Sequence, residues 1–206
     1  QGIQNAGLYR PGVNPGTGLV VLQKQEIPGM GPSRRQTLEK TGELAGPGGA
    51  TVWTEPEKPI WKYLAELTDP ILRGEADLAI LWRKSLESYP PEQAHAEHFG
   101  GLVVEYITRR KFDFWAGSFA LSERALPYYL EYAGDYGDEW DSIMVPHLRV
   151  LAAGLRVVSV EVDYVHPPEQ TAYETGKEPF VLRRVLQLFN LVPALYTEAH
   201  RLGLIN

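Results

Sequence analysis

The chain has 206 residues, 44% of them hydrophobic and 22% charged, with a formal net charge of -6 and no cysteine. That composition is apolar enough for a packed core and too acidic for non-specific attraction to nucleic acid, and it lacks the thiols that disulfides or thiolate chemistry require. No run approaches the roughly 20 apolar residues of a membrane-spanning helix, and the amino-terminal stretch lacks the charged-then-apolar order of a signal peptide, so the cytoplasm is the expected compartment.

Residues 1–18 are rich in Gly, Asn and Pro without periodicity and read as an irregular lead-in, with a single domain expected over 19–206. Leu19 to Gln25 is a strand candidate, followed by a Gly/Pro loop. The sequence SRRQ opens a helix at Ser33, with Gln36 three residues on as in a capping box. The stretch PGGATVWT predicts a turn and a strand, and KPIWKYLAELTDPILRG a helix with Ile60, Tyr63, Leu64 and Leu67 at helical spacing. Ala76 to Trp82 is an uninterrupted apolar strand. This alternation of strands and helices predicts an α/β sheet covered by helices. PPEQAHAEHFGGLVVEYITRR is a helix, and DFWAGSFALSERALPYYLEY passes from a loop through a small-residue turn into a helix from about Ser122. DEWDSIMVPHLRVLAAG is a helix stopped by Gly154, and the alternating, β-branched RVVSVEVDYVH is a strand. The last segment, EPFVLRRVLQLFNLVPALYTEAHRLGL, is a long amphipathic helix with a kink expected near Pro193. Packing on the sheet is its default role, with pairing to a second copy or rest on a membrane surface as the alternatives.

Four clusters are able to carry chemistry. Gly29 and Gly31 allow close backbone approach to a ligand, while Ser33 starts a helix whose free N–H groups suit an anion and Arg34 and Arg35 add bidentate donors; the alternative is a capped surface helix with solvated arginines. Glu55 and Glu57 follow a strand and flank Pro56, so they fit Mg2+ or Mn2+ bound to a diphosphate, or a solvated loop opening the next helix. Asp138, Glu139 and Asp141 around Trp140 offer a general base, or simply an acidic helix start. Glu139 and Asp141 are the favoured pair, of which only one can point inward. His166 ends a strand ahead of two prolines that set its direction, which suits a metal ligand or a structural histidine. His95 and His98 sit three apart on one helix, where a missing third ligand favours a solvated face. Trp115 and Trp140 are suited to stacking on a sugar or to a place in the core.

In their order, the strand, PGMGPSRRQTLE, TVWTEPEK, a helix and ADLAILWRK resemble the nucleotide-sugar half of glycosyltransferases with the GT-A fold. The run FDFWAGSFALSERAL is similar to a turn and helix of the family-two, dolichol-phosphate-sugar synthase-like enzymes. GDEWDSIMVPHLRVLAAGLRVVSVEVDYVH looks like their acidic acceptor-side helix and following strand. The His after that strand resembles the one in glucosyl-3-phosphoglycerate and mannosylglycerate synthases. The resemblance covers roughly residues 19–170. It implies a Rossmann-like mixed sheet flanked by helices, and a hexosyltransferase that takes a sugar from a nucleotide-diphosphate donor to a hydroxyl acceptor with Mg2+ or Mn2+. The metal would be held by Glu55, Glu57 and His166, the donor by Gly29, Gly31, Ser33, Arg34, Arg35, Gly117 and Ser118, and the acceptor would face Asp138, Glu139 or Asp141. Glutamates stand where the family has aspartates, and the family's amino-terminal nucleotide-binding unit has no counterpart in the 18 residues before the first strand. A non-catalytic scaffold that keeps the fold without a complete donor site is therefore the alternative. A nucleotidyltransferase ranks third, because LYRPGVNPGTG lacks the lysine of its Gly-rich loop.

Overall fold

The computed structural model describes residues 8–9, 19–23, 34–54, 58, 60–136 and 140–206, with the backbone course alone for 8–9, 19–23, 34–37 and 40. Its strands are β1 (Leu8–Tyr9), β2 (Leu19–Gln23), β3 (Ala50–Thr54), β4 (Leu78–Arg83), β5 (Phe119–Leu121) and β6 (Val157–Val162). The helices are α1 (Arg34–Ala45), α2 (Leu64–Leu72), α3 (Pro91–Thr108), α4 (Leu126–Leu130), α5 (Asp141–Ala152), α6 (Pro168–Glu174) and α7 (Glu178–Arg201). Among the described residues no helix is long and apolar enough to cross a membrane.

The strands form one mixed sheet in the order β1-β2-β3-β5-β4-β6. β2 runs parallel to β3, and β4 parallel to β6. β5 is antiparallel to both β3 and β4, with Phe119 opposite Trp53 on one side and Ile80 on the other. β3 and β4 therefore point the same way, and the carboxyl ends of β2, β3, β4 and β6 share one edge.

Strand alternation divides the core into two clusters. Leu78 and Ile80 of β4 join Trp53, Phe119 and Leu121 beneath residues of α3, α5 and α7. Ala79 and Leu81 join Val52 and Ala120 against Ile60, Leu64, Leu67 and Ile71 of the α2 segment. Both faces of β4 are thus covered, which accounts for its continuous apolar run. The amphipathic α7 packs on α3 and α5. Its Glu198 is completely buried and ties it to α5 through Arg149 Nε at 2.6 Å. Burial works to raise that carboxyl's pKa, but hydrogen bonds from Arg201, Arg149 and Tyr136 win and hold it at about 2.

Three expectations need correction. The first is the end of β6, which lies at Val162 rather than at His166. Phe119–Leu121 is a strand rather than part of a turn, and the helix expected from about Ser122 is the short α4, starting at Leu126. Three apolar residues buried on both faces give no period to read, so this strand is defined by its neighbours. The region after His166 holds the separate helix α6, which the polar sequence PEQTAYE does not announce. The last helix carries Pro193 within its run, Glu178–Arg201.

Gly100 of α3 faces Trp115, and a Cβ there would stand 2.4 Å from the indole ring, whereas one on Gly101 would meet nothing within 4 Å. Gly100→Ala should destabilise the protein by roughly 1–3 kcal/mol through overpacking. Gly101→Ala should be neutral or stabilise by up to about 1 kcal/mol through helix propensity. Urea unfolding of the two variants checks the contrast.

Candidate functional site at the carboxyl edge of the sheet

In open α/β sheets ligands gather beyond the carboxyl ends of the strands, and here that edge is tightly built. β3 ends at the buried Thr54, whose hydroxyl lies 3.1 Å from that of Ser118. Ser118 is buried and accepts Leu81 N on its carbonyl at 3.1 Å, joining β3, β4 and the start of β5. Gly117 precedes it with φ 71°, a left-handed turn that suits glycine and reverses the chain into β5. Lys58 donates Nζ to the carbonyl of Ala116 at 2.7 Å, so the chain beyond β3 is anchored to that same turn.

β4 ends in a buried charge. The Arg83 side chain is 1% exposed and makes a two-pronged contact with Asp113, Nε to Oδ2 at 2.7 Å and Nη2 to Oδ1 at 2.8 Å. Nη2 also pairs with Glu97 Oε2 at 2.7 Å, and Glu97 Oε1 accepts from Gln93 Nε2 at 2.6 Å. Burial opposes the charge on Arg83, but Asp113 and Glu97 outweigh it and keep the guanidinium protonated.

β6 leads to His166, which is 4% exposed and stacks at 4.3 Å on the Tyr89 ring. Its backbone N–H donates to Ser88 Oγ at 2.8 Å, and Nδ1 lies 2.6 Å from Thr171 Oγ1. Burial, and then the positive charges of Lys58, Arg83 and Arg184, push its pKa down to about 4. The imidazole is accordingly neutral at pH 7, and its 4.0 Å approach to Glu174 is not an ion pair. His147 is also neutral, pushed by burial to about 3, but it sits within the core, 2.5 Å from the Tyr129 hydroxyl. Of these two, only His166 meets a cavity.

That cavity has a volume of about 60 Å3, and Lys58, His166, Glu174, Arg183, Arg184 and Trp115 are among the residues around it. Trp140, Arg183 and Gln187 also border a groove of about 350 Å3 along α7 that includes Leu182 and Leu186. A third cleft, of about 550 Å3, lies on the other side of Glu97, and the exposed His95 and His98 border it with Lys84 and Lys111.

The sequence-derived candidates distribute as follows. Gly117, Ser118 and His166 come to the carboxyl edge, and Trp115 and Trp140 border the cavity. Gly29, Gly31, Ser33, Glu55, Glu57, Asp138 and Glu139 lie outside the described residues, as do the side chains of Arg34 and Arg35. α1 enters β3 through the turn at 46–49, at the opposite edge of the sheet, so its amino terminus points back towards the carboxyl edge. Asp141 is the inward-facing carboxylate of the acidic cluster, but it does not border the cavity. It is fully buried at the first turn of α5, where the Tyr132 hydroxyl donates to Oδ2 and Oδ1 has no hydrogen-bond partner among the described residues. Among the described residues no group of three His, Asp or Glu side chains is arranged around a metal position.

Sequence reasoning missed Lys58, Arg83, Glu97, Asp113, Thr171, Glu174, Arg183 and Arg184. One signal was available: a charge that closes an otherwise apolar, fully buried strand, as Arg83 does, requires a partner. No protein-family model, curated protein or solved structure matches the chain.

Asp113→Ala would leave the Arg83 guanidinium buried with one partner fewer, and removal of one member of such a pair costs about 3–5 kcal/mol. Asp113→Asn, which keeps the shape, should cost less. Equilibrium unfolding in urea measures both, and a loss under 1 kcal/mol for Asp113→Ala would count against the network's structural role.

Proposed function

We propose that the chain binds a nucleotide-diphosphate sugar at the carboxyl edge of the sheet and transfers the sugar to a hydroxyl acceptor with the help of Mg2+ or Mn2+. One observation carries this reading: Lys58, the residue after Glu57, borders the same cavity as His166. The lysine that follows the acidic pair and the histidine that the GT-A resemblance assigns to a metal site thus share one cavity, although more than 100 residues separate them in sequence.

The residues present fit such a group. His166 offers a neutral imidazole, Glu174 a buried carboxylate oxygen without a hydrogen-bond partner among the described residues, and Lys58, Arg183 and Arg184 the positive charge that a diphosphate needs. When bound, the divalent cation would neutralise the charge that builds on the leaving diphosphate. The protein's own share is orientation. The lysine and arginines hold the phosphates, Gly117 and Ser118 form the rigid floor beside the sugar, and Trp140 offers a face for stacking, whereas Trp115 is a core residue packed against Gly100. Asp138 and Glu139 remain the proposed acceptor-side bases. Asp141, turned in towards Tyr132, acts by holding the start of α5 rather than by meeting the acceptor.

A second reading, that the chain is a non-catalytic scaffold without a complete donor site, draws on the size of the cavity. About 60 Å3 is the share of roughly two water molecules, far less than a nucleotide sugar occupies. Calorimetric titration with UDP- and GDP-sugars, with and without Mn2+, decides between them. The transferase reading expects metal-dependent donor binding, weakened at least tenfold by Glu55→Gln or Glu57→Gln, and release of the nucleotide diphosphate when an acceptor is supplied. Metal-independent binding with no release would count against the transferase, and no binding at all would favour the scaffold.

A further inference from the structure

We propose that Glu174 is a metal ligand: its Oε2 and the Nε2 of His166 form a two-donor seat for a divalent cation that arrives together with a diphosphate, and Thr171 presets the imidazole for it. This rests on the sugar-transfer reading for its diphosphate but assigns residues that neither the sequence motifs nor the resemblance point to.

Thr171 Oγ1 donates to the carbonyl of Ser88 at 2.7 Å. A hydroxyl has one proton, so in the 2.6 Å contact between Thr171 Oγ1 and His166 Nδ1 the imidazole must be the donor. The neutral ring then carries its proton on Nδ1 and an electron pair on Nε2. A metal-binding histidine has this arrangement, with one nitrogen tied by a hydrogen bond and the other left to the ion. The backbone N–H of His166 on Ser88 Oγ and the ring stacked on Tyr89 further limit its rotation.

Nε2 faces Glu174 Oε2 at 4.0 Å. Oε1 of that carboxylate accepts from Gln170 Nε2 at 3.1 Å, whereas Oε2 is buried without a hydrogen-bond partner among the described residues. Two electron-pair donors turned towards each other are mutually unfavourable until something positive joins them. Metal bonds to nitrogen and oxygen of about 2.0–2.2 Å make about 4 Å the widest gap one ion can span, in a straight line. The two atoms must therefore draw closer when an ion binds between them at an ordinary angle. Lys58, Arg183 and Arg184 border the same cavity and repel a bare cation. They attract a diphosphate, so cation and anion should bind cooperatively, with the basic side chains on the anion and the His–Glu pair on the ion.

The test uses the full chain, Mn2+ and inorganic pyrophosphate. Electron paramagnetic resonance of free Mn2+ gives its affinity with and without pyrophosphate, and long-range 1H–15N correlation of the metal-free protein gives the tautomer of His166. The expected results are a gain of at least tenfold in Mn2+ affinity with pyrophosphate and an unprotonated Nε2. Glu174→Gln should lose that gain while keeping metal-free pyrophosphate binding. Thr171→Val should weaken Mn2+ about 10–100-fold, and Thr171→Ser should restore both the affinity and the tautomer. A proton on Nε2 in the unsubstituted chain, or a Glu174→Gln variant that binds Mn2+ with pyrophosphate unchanged, overturns the proposal. If Glu174→Gln is silent while Glu55→Gln and Glu57→Gln abolish metal-dependent donor binding, this assignment fails and the sugar-transfer reading stands. If Mn2+ and pyrophosphate bind through Glu174 but no sugar nucleotide binds, the reverse holds.

Discussion

A guanidinium buried at the end of the central strand sets the geometry of everything around it. Arg83 closes β4, and its charge is tolerable at 1% exposure only because Asp113 and Glu97 meet it directly. Asp113 opens the turn that leads through Gly117 and Ser118 into β5, and Glu97 lies in the second turn of α3. One charged group therefore fixes where the strand ends, where the antiparallel strand enters between its parallel neighbours, and how α3 lies across that edge. Such a network gives less stability than a well-packed apolar core, but it is demanding about geometry, which suits the border of a site.

The same network shapes the cavity's electrostatics. Glu97 is engaged by Arg83 and Gln93, so its charge is already matched. Burial first, and then the positive charges of Lys58, Arg83 and Arg184, keep His166 neutral. Electron-pair donors surrounded by fixed positive charge are suited to an ion that brings its own anions. Mg2+ and Mn2+ bound to a diphosphate satisfy that condition.

Much of the framework was legible in the sequence. β4 could be read because both of its faces are covered, and β6 because its residues are β-branched and alternate. α7 was visible from its apolar stripe. β5 was not legible, because three apolar residues flanked by Gly117–Ser118 and Ser122 satisfy a turn as well as a strand. Only pairing to strands more than 35 residues away on one side and more than 60 on the other defines it. The same division holds at the site. His166 stood out because the alternating segment that contains β6 runs up to it in sequence and Pro167 and Pro168 fix the chain's direction. Glu174 and Thr171 lie in a polar stretch without periodicity. Thr171 reaches Ser88 across 83 residues of sequence, a contact that no local pattern encodes.

The most direct test of the account is a crystal of the full chain grown with Mn2+ and pyrophosphate, with diffraction recorded where manganese scatters anomalously. The account predicts a manganese peak in the cavity at the carboxyl edge, within bonding distance of His166 Nε2 and Glu174 and joined to pyrophosphate oxygens. Pyrophosphate bound at Lys58 and the α7 arginines without manganese, or manganese bound only elsewhere on the molecule, would contradict it.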